Sequence, residues 1–100
     1  IISGLETNTK NMAFNFELEN NYPNPFNPTT TIAFSLANSG KTKLVVYNLL
    51  GQIVATLWDG YCQQGRHRLL FNASGLASGI YFYSLQQENY SITKKMIILK

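Results

Sequence analysis

From Phe14 onward the apolar residues of this chain recur at every second position in short runs, and nowhere at the three-and-four spacing that would give a helix an apolar stripe. Phe14, Phe16 and Leu18 alternate with Asn15, Glu17 and Glu19, and Ile32, Phe34 and Leu36 alternate with Thr31, Ala33 and Ser35. "TKLVVYNL" from Thr42 and "IVATLW" from Ile53 are β-branched and aromatic, and "RHRLLFN" sets His67, Leu69 and Phe71 against Arg66, Arg68 and Leu70. "IYFYSLQQ" sets Ile80 and Phe82 against Tyr81 and Tyr83, and "ITKKMIILK" closes the chain. Between these runs lie the turn-forming stretches "NSGK", "LLGQ", "DGYCQQG", "ASGLASG" and "ENYS". The glycines and serines of "ASGLASG" preclude a stable helix, and Leu76 within it is expected to point inward.

Seven short strands with turns at intervals of about ten residues predict an all-β fold, an immunoglobulin-like antiparallel β-sandwich. The antibody signature of two cysteines bracketing a tryptophan is missing, since Trp58 and Cys62 have no second cysteine. In the last strand Lys94 falls on the parity of Ile92, Met96 and Ile98, which requires either a bulge or a lysine whose stem snorkels at a sheet edge.

"NYPNPFNP" places Pro23, Pro25 and Pro28 close together just before the second strand. Each proline fixes its own φ, removes a donor and pushes the residue before it toward extended geometry, so Tyr22, Asn24 and Asn27 are all restrained. The loop is stiff by construction and ends strand pairing cleanly. Asn24 and Asn27 are placed to close side-chain-to-backbone turns. Phe26, held between them, is the candidate plug, and its burial would stabilise by about 1.5 to 3 kcal/mol.

The chain has 100 residues, 45% hydrophobic and 13% charged. That suffices for one core, and the balance excludes a disordered tail. Residues 1–12 have no period and read as a linker from an upstream domain, with the sandwich over 13–100. No apolar run reaches the length of a membrane-spanning helix, and the N-terminal stretch lacks the basic start and apolar middle of a secretory signal. The net charge of +3 comes from basic residues scattered in pairs on different segments, which suits solvated strand faces better than the basic stripe of a nucleic-acid binder.

Candidate chemistry is sparse. Cys62, His67 and Asp59 form a triad on paper, but three residues around one sandwich turn supply no pocket for an activated nucleophile. The five carboxylates and single histidine are too dispersed for zinc or calcium, no phosphate loop occurs, and no cofactor is expected. Asn72-Ala73-Ser74 and Asn89-Tyr90-Ser91 match the N-glycosylation pattern and read first as turn residues. Tyr47, Trp58, Tyr61, Tyr81, Tyr83 and Tyr90 would make a sugar-stacking platform if exposed together, and core or rim packing is the expectation.

Three blocks of the sequence are familiar: "NYPNPFNPTTTIAFSL", "VYNLLGQIVATLWDG", and "LASGIYFYSL" followed by "TKKMIILK". Together, in this order, they resemble the type A C-terminal sorting domain of type IX secretion substrates. The resemblance implies a non-catalytic, immunoglobulin-like address that directs a secreted multidomain protein through the periplasm to the outer-membrane translocon, and so to the cell surface or medium. Its implied partners are the translocon, the upstream cargo of the same polypeptide, and a sortase-like peptidase that cuts before Phe14. The matching motif positions are Pro23, Asn24, Pro25, Phe26, Asn27 and Pro28; Gly51 with Val54; Gly79 with Tyr81; and Lys94, Lys95, Ile97, Ile98, Leu99 and Lys100. A basic pair on an apolar edge strand can pair its backbone with another sheet and set direction by charge, though the same strand also serves to complete the sandwich. Some of the "YNLLGQ" pattern also occurs in the immunoglobulin-like domain of flagellar hook-cap assembly proteins. A reading of another class, from the aromatics and the linker-like start, is an accessory carbohydrate-binding or spacer module.

Overall fold

The computed structural model describes residues 15–100. The expected linker over 1–12, the expected domain start at 13, Phe14 and the expected cleavage segment lie outside the described residues. Seven strands follow in chain order: β1 (Glu17–Leu18), β2 (Thr29–Leu36), β3 (Gly40–Tyr47), β4 (Ile53–Cys62), β5 (Gly65–Asn72), β6 (Gly79–Gln87) and β7 (Tyr90–Ile98). They form two antiparallel sheets, one in the order β1-β2-β5 and the other β4-β3-β6-β7. This is the all-β sandwich that the alternation predicts. β4 joins the sheet of β3, β6 and β7, unlike the fourth strand of an antibody constant domain.

Period-two alternation turns one face of each strand inward, and the two inner faces meet in a single core. Leu18, Ile32, Phe34, Leu36 and Phe71 enter it from the smaller sheet. Leu44, Val46, Tyr81, Tyr83, Leu85, Met96 and Ile98 enter from the larger. In β6 it is the tyrosines that point inward, while Ile80 and Phe82 face out. Leu76 packs against this core from the loop between β5 and β6.

Four turns are shorter than the sequence suggests: Gly40 and Lys41 of "NSGK" already belong to β3, Gly79 of "ASGLASG" opens β6, and two others contract further. "DGYCQQG" contracts to Gln63 and Gln64, because Asp59, Gly60 and Tyr61 continue to pair with Lys43, Thr42 and Lys41 as part of β4. Gly60, at φ 149°, carries the strand through a backbone conformation that a side chain would resist. In "ENYS" only Glu88 and Asn89 turn, since Gln87 pairs with Tyr90 and the strand has already begun. The pairing of β3 with β4 slips at two places, between Leu44 and Val45 and between Val46 and Tyr47. Pairing of β6 with β7 runs without a shift from Gly79↔Ile98 to Gln87↔Tyr90, so Lys94 lies on the inward parity with no bulge beside it. It is half-buried, and its stem snorkels at the sheet edge.

Tyr83 ties the two sheets together. Its ring is fully buried, its hydroxyl donates to the Glu19 carbonyl at 2.7 Å, and the Asn21 amide donates to it at 2.8 Å. The segment leaving β1 is thereby held against β6 by two hydrogen bonds that no local pattern announces. Removing the hydroxyl would orphan two backbone groups, so Tyr83→Phe is expected to lower stability by about 1 to 3 kcal/mol in urea unfolding. Burial also pushes the Tyr83 phenol up to about 12 from 10.0, with the Asn21 bond opposing. Because the folded value is the higher, its contribution is complete below pH 10 and is lost as pH rises toward 12. The stability gap between the native chain and Tyr83→Phe should therefore narrow across that interval.

Candidate functional site

The proline block and the end of β7 meet along one edge. The Phe26 amide donates to the Ile97 carbonyl at 3.1 Å, and the Leu99 amide donates to the Phe26 carbonyl at 3.0 Å, which makes a short parallel bridge. Asn24 does not close a local turn. Its Oδ1 accepts the Ile97 amide at 3.0 Å instead, because the restrained loop carries it alongside β7, where that amide points out of the sheet. No side-chain bond of Asn27 occurs among the described residues. All three X–Pro bonds of the block are cis.

The Phe26 ring is buried and lies 6.2 Å, centroid to centroid, from Phe71, so the plug is in place. The block is also fastened at its flanks. Tyr22 and Thr31 exchange backbone bonds of 3.0 and 2.9 Å, the Pro23 carbonyl accepts Thr30 Oγ1 at 2.8 Å, and the Pro28 carbonyl accepts the Ala73 amide at 2.8 Å.

The other expected motif positions fall into two groups. Gly79 opens β6 opposite Ile98, Tyr81 is buried opposite Met96 with its hydroxyl donating to the Ala77 carbonyl, and Lys100 bonds Ser78 Oγ and the Ser74 carbonyl. These surround the end of β7. Gly51, at φ 81°, completes the β3–β4 turn in which Asn48 Oδ1 accepts the Leu50 and Gln52 amides, and Val54 packs on the core from β4. They do not touch the proline block, although the exposed Leu49 and Leu50 of that turn border Ser78, Gly79 and Ile80.

Lys94 and Lys95 line a cleft of about 600 Å³ whose other wall is Asn20 to Pro25. Among the described residues the only ion pair is Arg66 with Glu19, at 2.6 Å, so neither lysine is neutralised there. Asn21 forms part of this cleft, and its buried Oδ1 accepts no hydrogen bond. Sequence reasoning missed the cleft, since its walls are some seventy positions apart in the chain.

A family model described as "Secretion system C-terminal sorting domain" matches residues 20–99. The chain belongs to this family. The match begins at the proline block and extends through the last strand, the two segments that the fold brings into contact. A sorting domain of the type IX system marks a secreted protein in transit to the cell surface or exterior. No curated protein matches the chain.

The remaining candidates bear on other functions. In the sorting domain Tyr81 and Tyr83 are core and Tyr90 packs on Phe16 at the rim, while Tyr61 is well exposed and Trp58 partly so. They make no platform around β4: Trp58 lies across from Leu44 on the core side, and Tyr61 lies across from Lys41 on the outer side. Asn72 Oδ1 accepts the Ser74 amide, a turn bond. Cys62 Sγ and His67 Nε2 are 3.5 Å apart, but Nε2 lies 2.6 Å from the Gln63 carbonyl and so carries the proton it gives to that oxygen. The imidazole is thus no base toward the thiol. Burial pushes the Cys62 thiol up, only partly offset by its bond from the Gln63 backbone.

Alkylation of Cys62 in the native chain should therefore run at least about tenfold slower than in denaturant, as followed by mass spectrometry. Phe26→Ala should cost about 3 to 5 kcal/mol in urea unfolding, as for other buried aromatics. Asn24→Ala, which strips only the bond to Ile97, should cost about 1 to 3 kcal/mol.

Proposed function

We propose that this sandwich is the address by which a larger polypeptide is handed to the type IX outer-membrane translocon, and that the surface read is β7 with Lys94 and Lys95, framed by the proline block. The observation that carries the reading is the bonding of Asn24 and Phe26 to Ile97 and Leu99. Two segments from opposite ends of the matched region form one surface, and that surface exists only once the sandwich has closed. An address of this kind is legible on the folded sorting domain and illegible on its unfolded chain.

The domain acts as a label without a reaction of its own, in keeping with the raised thiol and blocked imidazole of its one nucleophile-and-base pair. Cargo carrying it meets the translocon from the periplasm. A sortase-like peptidase then cuts ahead of the sandwich and leaves the cargo attached to surface lipopolysaccharide or released, as the family resemblance implies. The linker over 1–12, the boundary at 13 and the motif residues from Pro23 to Lys100 belong to this proposal. The accessory carbohydrate-binding reading loses its support where Trp58 and Tyr61 part to opposite faces.

Truncating the tail would remove Met96 and Ile98 from the core and confound folding with recognition. Charge reversal of the exposed Lys95 and half-exposed Lys94 separates them. The 100-residue chain, fused to a periplasm-directed fluorescent protein, should reach the surface or medium in a strain with the translocon and stay inside in a strain without it. Lys94→Glu with Lys95→Glu should abolish most of that export while the thermal melt of the purified fusion is kept. Equal retention of the unaltered fusion in both strains would overturn the proposal.

A further inference from the structure

Along β7 successive residues turn their backbone groups alternately toward β6 and away from it. The Ile97 amide and carbonyl face away, since they bond Asn24 and Phe26. With no register shift in the β6–β7 pairing, the amides and carbonyls of Lys95, Thr93 and Ser91 face away as well. No partner for them occurs among the described residues. The proline block thus pairs with the edge of β7 at Ile97 and Leu99 and stops there; β1 comes near β7, with Phe16 packed on Tyr90, but does not pair with it, and the cleft against Asn20 to Pro25 opens beside Lys94 and Lys95.

We infer that this edge, unpaired among the described residues, takes an extended acidic segment of a partner chain, added as a strand to β7 from Ser91 to Lys95, with its carboxylates on Lys94 and Lys95. Two features define that occupant. Outward-facing amides and carbonyls at alternate residues are satisfied by an extended backbone and by no compact ligand. The two lysines project to opposite faces of the strand and lack ion pairs among the described residues, so a segment with carboxylates on both of its faces complements them. The same two charges repel a second copy of β7, so they select a complementary strand and discourage self-pairing.

The inference deepens the sorting reading, on which its biological partner rests, by giving that partner a chemistry. It is tested without the export machinery. A fluorescein-labelled peptide in which adjacent Glu pairs are separated by Val or Thr pairs, so that carboxylates fall on both faces of the extended strand, is titrated against the 100-residue chain and followed by anisotropy, beside a peptide with Lys in place of Glu. The acidic peptide should bind, more weakly as salt is raised, and the basic one should not. Lys94→Glu with Lys95→Glu should weaken binding about tenfold. Methylating alternate backbone nitrogens of the peptide should remove binding. In the unaltered chain, the amide resonances of Thr93 and Lys95 should shift on binding.

Acidic and basic peptides binding alike, or shifts confined to another edge such as β5, would overturn the inference. So would protection of the Thr93 and Lys95 amides from solvent exchange in the chain alone, which would mean the edge is already filled. Loss of cellular export in the charge-reversed fusion, with no acidic-peptide binding by the native chain, would leave the sorting reading standing and this inference fallen.

Discussion

The bridge between Phe26 and the end of β7 is the contact on which the rest of this molecule depends. A seven-strand sandwich has open edges, and an edge of unpaired amides and carbonyls must be paired, covered or charged. Here one edge is treated in two ways along its length. At Ile97 and Leu99 it is covered by a loop whose prolines leave little freedom, with the Phe26 ring anchored beside Phe71. From Ser91 to Lys95 it is charged. Tyr83 supplies the complementary restraint, fixing the chain at Glu19 and Asn21 just before the loop begins. Both restraints act on the same segment, so the position of the loop against β7 is over-determined.

The fold was legible to the extent that it is local. Alternation in "TTTIAFSL" and the inward placement of Leu76 depend on which side of a backbone a residue falls, and sequence spacing records that directly. What misled was turn chemistry on an edge. Gly60 within "DGYCQQG" resembles a loop residue, yet β4 pairs on one side only, which makes such residues tolerable inside it. The bulge-or-snorkel choice at Lys94 could not be made from sequence either, because it turns on whether a strand neighbours β7 on its far side.

The site was legible in its parts and hidden in its assembly. Each of the two blocks stands out by composition, one by its prolines and the other by its basic pair on an apolar strand, but no pattern in either says that they touch. Asn24 shows why. Its local chemistry favours a turn, and it instead caps an amide 73 residues away. The Cys62–His67 approach misleads in the opposite direction, since proximity suggests reactivity until the Gln63 carbonyl is seen to claim the imidazole proton.

The placement of Phe26 also sets an order of events. A chain that folds as it emerges presents the proline loop long before Ile97 and Leu99 exist to receive it, and the wait spans most of the domain. Until then Phe26 has no backbone partner and the core lacks Met96 and Ile98. A polypeptide cut short anywhere before the last strand therefore carries the proline loop without its counterpart. Built this way, the sandwich registers the completeness of the chain that precedes its final strand.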